Sequence, residues 1–214
     1  MVAGRYLQVS SLLLGVILLV GATVVARPAA SLPAPQVALR NFSSIDHAAD
    51  GDLIFRAGHD MVSQIVMAQN DGAQFSHVGL VLKRDGKTMV VHALPSENGA
   101  PGGVVVEPLH IFASVQHASS VALYRMPDLR RGDVERIKGY VLSQVGKPFD
   151  DDFSMADDSR VYCAELVVRA YAVAGREIGS ADTRVSIMTV PEPVVLPDVL
   201  SQRAGLVLVG SIHN

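Results

Sequence analysis

Apolar positions along the chain fall into runs and periods that mark out its elements. Leu53-Ile54-Phe55-Arg56, entered from Gly51-Asp52, has the length and composition of a buried strand. Asp60 to Asn70 carries Met61, Ile65 and Ala68 with Val62 and Val66 beside them, which predicts a short helix closed by Gly72. Ser76–Leu82 and Thr88–Leu94 are β-rich runs flanking Arg84-Asp85-Gly86-Lys87. An Asp-Gly pair between two such runs signals a hairpin, because a type I′ turn needs positive φ at both central residues. After the breaker-rich loop Pro95–Gly103, Val104–Val106 and Val121–Arg125 read as further strands. Asp133 caps a helix with apolar positions at Val134, Ile137, Val141 and Val145, ending at Gly146. A second amphipathic helix presents Leu166, Val167, Ala170, Tyr171 and Ala174 on one side and stops at Gly175. Beyond Pro191, Pro193 and Pro197, Leu206–Val209 makes a last strand. Hairpin strands with helices gathered separately mean an α+β fold.

The hairpin also sets a register. With Asp85 and Gly86 as the two loop residues, Arg84 pairs with Lys87, His77 faces Leu94 and Gly79 faces His92. Side chains alternate along a strand, so His77, Gly79, His92 and Leu94 share one face and the two imidazoles become diagonal neighbours. Gly79 leaves space opposite His92.

The amino terminus departs from this globular pattern. Arg5 precedes an apolar run from Leu12 to Ala26, followed by Arg27 and the proline-rich stretch Pro28–Pro35. Residues 1–26 have the layout of a secretory signal, with Val24-Val25-Ala26 as a small-residue cleavage site. The run is about 15 residues against the roughly 20 of a spanning helix, and extending it back to Leu7 makes a membrane anchor the alternative. Residues 27–48 read as a linker and residues 49–214 as the domain. The expected location is outside the cytoplasm, exported or tethered through residues 7–26.

Charge and cysteine content narrow the chemistry. The net charge of −3 over 214 residues offers no basic footprint for nucleic acid. The single cysteine, Cys163, can form no internal disulfide, and an unpaired thiol in an exported protein points to reactivity or to a buried structural role. Val161-Tyr162-Cys163-Ala164-Glu165-Leu166-Val167 puts that thiol at the entry to the second helix, where unpaired N–H groups and the helix dipole favour a thiolate near neutral pH. A nearby imidazole would complete the Cys–His pairing of thiol hydrolases, and His92 is positioned as the third, orienting group. No Cys-x-x-Cys or His-Glu-x-x-His spacing supports a metal site, and no cofactor is expected. The acidic clusters Asp150–Asp152 and Asp157-Asp158 read as a solvated loop, and Glu165 as a complement to the helix dipole. His47, His59, His110, His117 and His213 show no pairing pattern.

Four segments, in this order, resemble a known family: Gly51-Asp52-Leu53-Ile54-Phe55-Arg56, Phe75-Ser76-His77-Val78-Gly79-Leu80, Val91-His92-Ala93 and Tyr162-Cys163-Ala164-Glu165-Leu166-Val167. They are similar to the circularly permuted NlpC/P60 papain-like enzymes, most of all the YiiX/YaeF-type permuted papain-like amidases, relatives of lecithin–retinol acyltransferase. Gly146-Lys147-Pro148-Phe149-Asp150 also resembles a segment this group carries before its cysteine helix. The resemblance implies a papain-like core, a sheet or barrel, whose strand module precedes the nucleophile helix. It implies Cys163 as nucleophile, His77 as base, His92 at the third position and Tyr162 lining the substrate site. Many YiiX-like members have an acidic residue where this chain has His92, and the acyltransferase relatives have histidine. Three readings therefore stand: an amidase acting on peptides such as those of the cell wall, a lipid acyl hydrolase or acyltransferase, and a non-catalytic binding module.

Overall fold

The six residues from His77 to Leu82, a histidine followed by five apolar or small residues, are all buried, because the sheet they belong to carries packing on each face. The computed structural model describes residues 45–68, 72–97, 99–179, 184–186 and 193–214. Its sheet has six antiparallel strands: β1 (Leu53–Gly58), β2 (His77–Arg84), β3 (Lys87–Leu94), β4 (Gly103–Pro108), β5 (Ala118–Arg125) and β8 (Val207–His213), in spatial order β4-β3-β2-β1-β5-β8. The short pair β6 (Arg184–Val185) and β7 (Val194–Val195) stands apart. Helices are α1 (Met61–Met67), α2 (Leu109–Phe112), α3 (Arg131–Ser143), α4 (Cys163–Ala172) and α5 (Pro197–Ser201). The α+β expectation holds.

The hairpin forms as its turn chemistry requires. Asp85 has φ 52° and Gly86 φ 74°, and β2 pairs with β3 from Leu80↔Val91 to Arg84↔Lys87. Strand alternation then separates two cores. Leu53, Phe55, Val78, Leu80, Val91 and Ala93 face α3 and α4, and the α4 positions Leu166, Val167, Ala170 and Tyr171 pack onto them. Ile54, Val81, Val90, Val121 and Leu123 face the other way, under Leu109, Phe112 and Ala113 of the α2 segment. Burial on both faces explains why these strands read as continuous apolar runs instead of alternating ones.

Four expectations need correction. Ile45 and Ala48, assigned to the linker, are buried in the second core, so packing begins before Ala49. Asp133 is the third residue of α3 and not its cap. The N-cap is Arg130, whose backbone N–H donates to the Asp133 carboxylate at 3.1 Å. Val145 lies beyond the helix and is exposed, so the apolar stripe ends at Val141. The acidic loop is not simply solvated. Asp150 is fully buried and accepts from the N–H groups of Asp152 and Ser154, while Arg160 reaches Asp150, Asp152 and Asp157. Helices α2 and α5 and the β6–β7 pair were not anticipated. The expected leader, residues 1–26, and most of the expected linker lie outside the described residues. Among the described residues no helix is long and apolar enough to cross a membrane.

Candidate active site

Helix α4 begins where three local features hold it. Tyr162 is extended at the N-cap (φ −99°), and its N–H donates to the Glu165 side chain at 3.3 Å, satisfying a donor the helix cannot. Arg169, one turn on, lies 2.7 Å from the Glu165 carboxylate and also donates to the Met155 carbonyl at 2.8 Å. Burial lifts the Glu165 carboxyl to about 7 despite the opposing Arg169 charge. Glu165 therefore does more than complement a dipole: it ties the cysteine-bearing helix to the loop before it. At the other end of the molecule's first motif, the Tyr171 hydroxyl donates to the Gly51 carbonyl at 2.8 Å, anchoring α4 to the entrance of β1.

Cys163 is the first residue of α4 and is buried among the first core. Backbone N–H groups of Val78, Ala164 and Cys163 itself favour its thiolate, as does the Arg56 guanidinium. Val78 is the neighbour of His77, so the thiol meets β2 where that strand begins. Tyr162, expected to line the site, has only 2% of its surface exposed; its hydroxyl accepts from the Val195 N–H at 3.2 Å and its ring meets Phe153 edge-on.

The two strand histidines are brought together as the register expects. His77 Nε2 and His92 Nδ1 are 2.8 Å apart in a hydrogen bond, with the rings nearly perpendicular and both against Phe112. Gly79 allows this approach. A Cβ there would lie 2.5 Å from Val90 Cγ1 and 3.1 Å from His92 Cβ. On its far side, His92 Nε2 lies 3.0 Å from Glu107 Oε1. That separation is an ion-pair distance, although the ring N–H points too far off the oxygen for a well-formed hydrogen bond; the separation governs the electrostatics. Cys163 approaches the start of β2 from the α4 side, and the His77 ring packs on the Phe112 side.

Burial dominates the ionisation of this cluster. It pushes the Cys163 thiol up to about 11, outweighing the N–H groups and Arg56. It also holds His77 well below the ordinary imidazole range, with the Arg56 charge and His92 acting in the same direction. His92 is lowered too, by burial, against the raising influence of Glu107. Burial acts to raise Glu107, but its contacts with His92 outweigh that and leave the carboxylate below its ordinary value. The expected thiolate at neutral pH is therefore corrected: in the free protein, thiol and imidazole are both neutral. A helix N-terminus lowers a cysteine pKa only where desolvation does not exceed it.

Two residues of the cluster escaped sequence reasoning. Arg56 pairs with His77 across β1 and β2, and Glu107 sits on β4 diagonal to His92. Arg56 carried a signal, a charged residue inside a buried strand. Glu107 carried none, because the β3–β4 register depends on the irregular loop between them. Among the described residues no three His, Cys, Asp or Glu side chains converge as metal ligands would.

A thiol on a helix that follows a histidine-bearing antiparallel sheet defines a papain-like hydrolase in permuted order. The profile of the permuted papain-like amidase enzymes, YaeF/YiiX, C92 family, matches residues 47–193, and the chain belongs to that family of cysteine amidases and peptidases. The crystal structure of the metalloprotein YiiX from Escherichia coli O157:H7 superposes with a TM-score of 0.64 at 22% identity, covering 78% of this chain and 98% of that one. No protein among those with curated functions matches the chain.

Proposed function

We propose that this enzyme hydrolyses amide bonds of peptides outside the cytoplasm, with Cys163 as nucleophile and His77 as its base. The observation that carries the reading is the file of buried His77 and His92 and partly exposed Glu107, which ends at the strand start that the Cys163 thiol approaches. His77 is the first residue of β2; its ring packs toward Phe112 while the Cys163 thiol approaches the strand at Val78 from the α4 side, and the proposed pairing requires the two side chains to meet around the end of the strand.

The file selects a tautomer. The Glu107 carboxylate, 3.0 Å from His92 Nε2, favours through its charge the tautomer protonated on that nitrogen, which leaves His92 Nδ1 as an acceptor. His77 then donates from Nε2, and its Nδ1 lone pair is left to take the thiol proton. Deprotonation and attack are coupled, because neither resting group is charged. The sulfur adds to the amide carbonyl carbon, and the N–H groups that favour the thiolate stabilise the oxyanion. The His77 imidazolium returns its proton to the leaving amine as the C–N bond breaks, forming a thioester. Water, deprotonated by His77, then releases the acid and regenerates the thiol.

Extracytoplasmic location rests on the leader-like residues 1–26, cleaved or kept as an anchor. Peptide amides, those of the cell wall included, are the substrate class that fits the family and that location. Histidine at the third position favours a second reading, an acyl-ester activity on lipid. The similar YiiX is a metalloprotein, but in this chain His77 and His92 spend their facing nitrogens on each other, and no metal step enters the mechanism. The test is a Cys163→Ala variant assayed on acylated peptides and on phospholipid. Loss of amine release supports the proposal, loss of fatty-acid release supports the second reading, and unchanged hydrolysis overturns both.

A further inference from the structure

Arg56 lies in β1 beside His77, with 5% of its surface exposed. Its guanidinium sits 4.6 Å over the Phe112 ring, and Nη1 donates to the Phe112 carbonyl at 3.2 Å. Nε has no partner, and no carboxylate lies within ion-pair distance among the described residues. A guanidinium offers five N–H donors in a planar fork. Burying one without a counter-ion is costly, and natural proteins rarely retain such a charge without a use.

Arg56 lines a cavity of about 630 Å³, with His59, Leu94, Glu107, Gln116 and His117 among its walls. Neither Cys163 nor His77 lines it, so it adjoins the thiol site through Arg56 and Glu107. The cavity also holds carboxylates, but each has its own local neighbour or solvent. Glu107 stands 3.0 Å from His92, Asp60 caps α1 by accepting from the Ser63 N–H and hydroxyl, and Glu97 is exposed on a turn. Glu107, Asp60 and Glu97 act on the Arg56 charge through space, but among the described residues none of them forms an ion pair with its guanidinium. The guanidinium is also close enough to the thiol and to His77 to act on the ionisation of both.

We propose that Arg56 is an anion subsite, and that the amide substrate carries a free carboxylate beside its scissile bond, as the terminal residue of a peptide does. A planar carboxylate can accept from two donors of the fork at once. The cavity volume falls within the range of small-ligand sites. The inference rests on the Cys163–His77 reading for what the subsite serves, though not for the existence of the subsite.

Calorimetric titration of the wild-type protein with N-acetylalanine and with N-acetylalaninamide tests it directly, since the two probes differ only in the carboxylate. The free acid is expected to bind about 10- to 100-fold tighter, the worth of a hydrogen-bonded charge pair. Arg56→Gln should level the two, and Arg56→Lys should keep part of the difference. Equal binding of the two probes, or no binding of the acid, overturns the proposal without recourse to any variant. Alkylation of Cys163 by iodoacetate relative to iodoacetamide, referred to the same ratio for free cysteine, ties the subsite to the thiol. The ratio should rise about tenfold and fall back in Arg56→Gln. Carboxylate-selective binding with an inert Cys163 would remove the thiol mechanism and leave the subsite standing. A reactive, turnover-essential Cys163 with no carboxylate preference would remove the subsite alone.

Discussion

Iodoacetamide should react with Cys163 at a rate that keeps climbing with pH, from neutrality to beyond about pH 9, because only the thiolate attacks. The perturbation is pH itself, and its magnitude follows from the buried setting of the thiol. Burial moves it from 9.0 to about 11. At pH 7.5 a thiol of that pKa is ionised in roughly 3 molecules of 10,000, about 100-fold fewer than an unperturbed one. Greater basicity makes each thiolate more nucleophilic, by roughly tenfold across that interval, so the net rate falls about tenfold below that of a free thiol. The assay is the second-order alkylation rate measured by intact-protein mass spectrometry across the pH range. Its logarithm should rise with a slope near one and no plateau. Arg56→Gln should move the curve to still higher pH, because the guanidinium favours the thiolate. A rate already constant above about pH 6 would mean a resting thiolate–imidazolium pair. That result would refute the argument that desolvation outweighs the helix terminus.

The remaining predictions concern what holds the site together. Gly79→Ala puts a methyl 2.5 Å from Val90 Cγ1 and 3.2 Å from the Val91 carbonyl, so β3 must shift and the His77–His92 bond lengthens. Urea unfolding should show a loss of about 1–3 kcal/mol, with turnover reduced at least about tenfold; a variant of wild-type rate would contradict the role given to that bond. The Asp198 carboxylate accepts from the N–H groups of Gln74 and Phe75 at 2.7 and 3.3 Å, just before β2. Asp198→Ala should cost about 1–3 kcal/mol by denaturant titration, and Asp198→Asn, which keeps an acceptor, less. His77 and His92 are both depressed below 6.5 in the folded state, so the unfolded chain binds protons more readily. Their contribution to stability is present above pH 6.5 and is lost as pH falls below it. The melting temperature should therefore decline on acidification from pH 7 to pH 5, and less steeply in His77→Gln; an equal decline in both proteins would show that this imidazole is not the source.

What could be read from the chain was what local chemistry determines. Asp85-Gly86 prescribes its own turn, and once that turn is placed, strand alternation puts His77 and His92 side by side. Leu166, Val167, Ala170 and Tyr171 mark the buried side of α4 because a helix has a fixed period. The sheet's middle was not legible in the same way. That β1 lies between β2 and β5 depends on long-range pairing, and so do the positions of Arg56 and Glu107 beside the histidines. Asp150 looked solvated because its neighbours are acidic, whereas Arg160, ten residues on, supplies the counter-charge that lets it be buried. The sign of the Cys163 perturbation failed for a related reason. A helix terminus is visible in sequence, and the degree of desolvation around it is a property of the assembled cores.

Acylation of Cys163 itself is the most direct test of the central claim, that a helix-end thiol and the first histidine of β2 act as one unit. The full chain would be mixed with an activated acyl ester at neutral pH, and intact and peptide mass spectra followed over time. The account expects a single acyl adduct on Cys163 that accumulates and then decays, forming at least about 100-fold more slowly in His77→Ala. No adduct on Cys163, or one that forms at the same rate without His77, would contradict it.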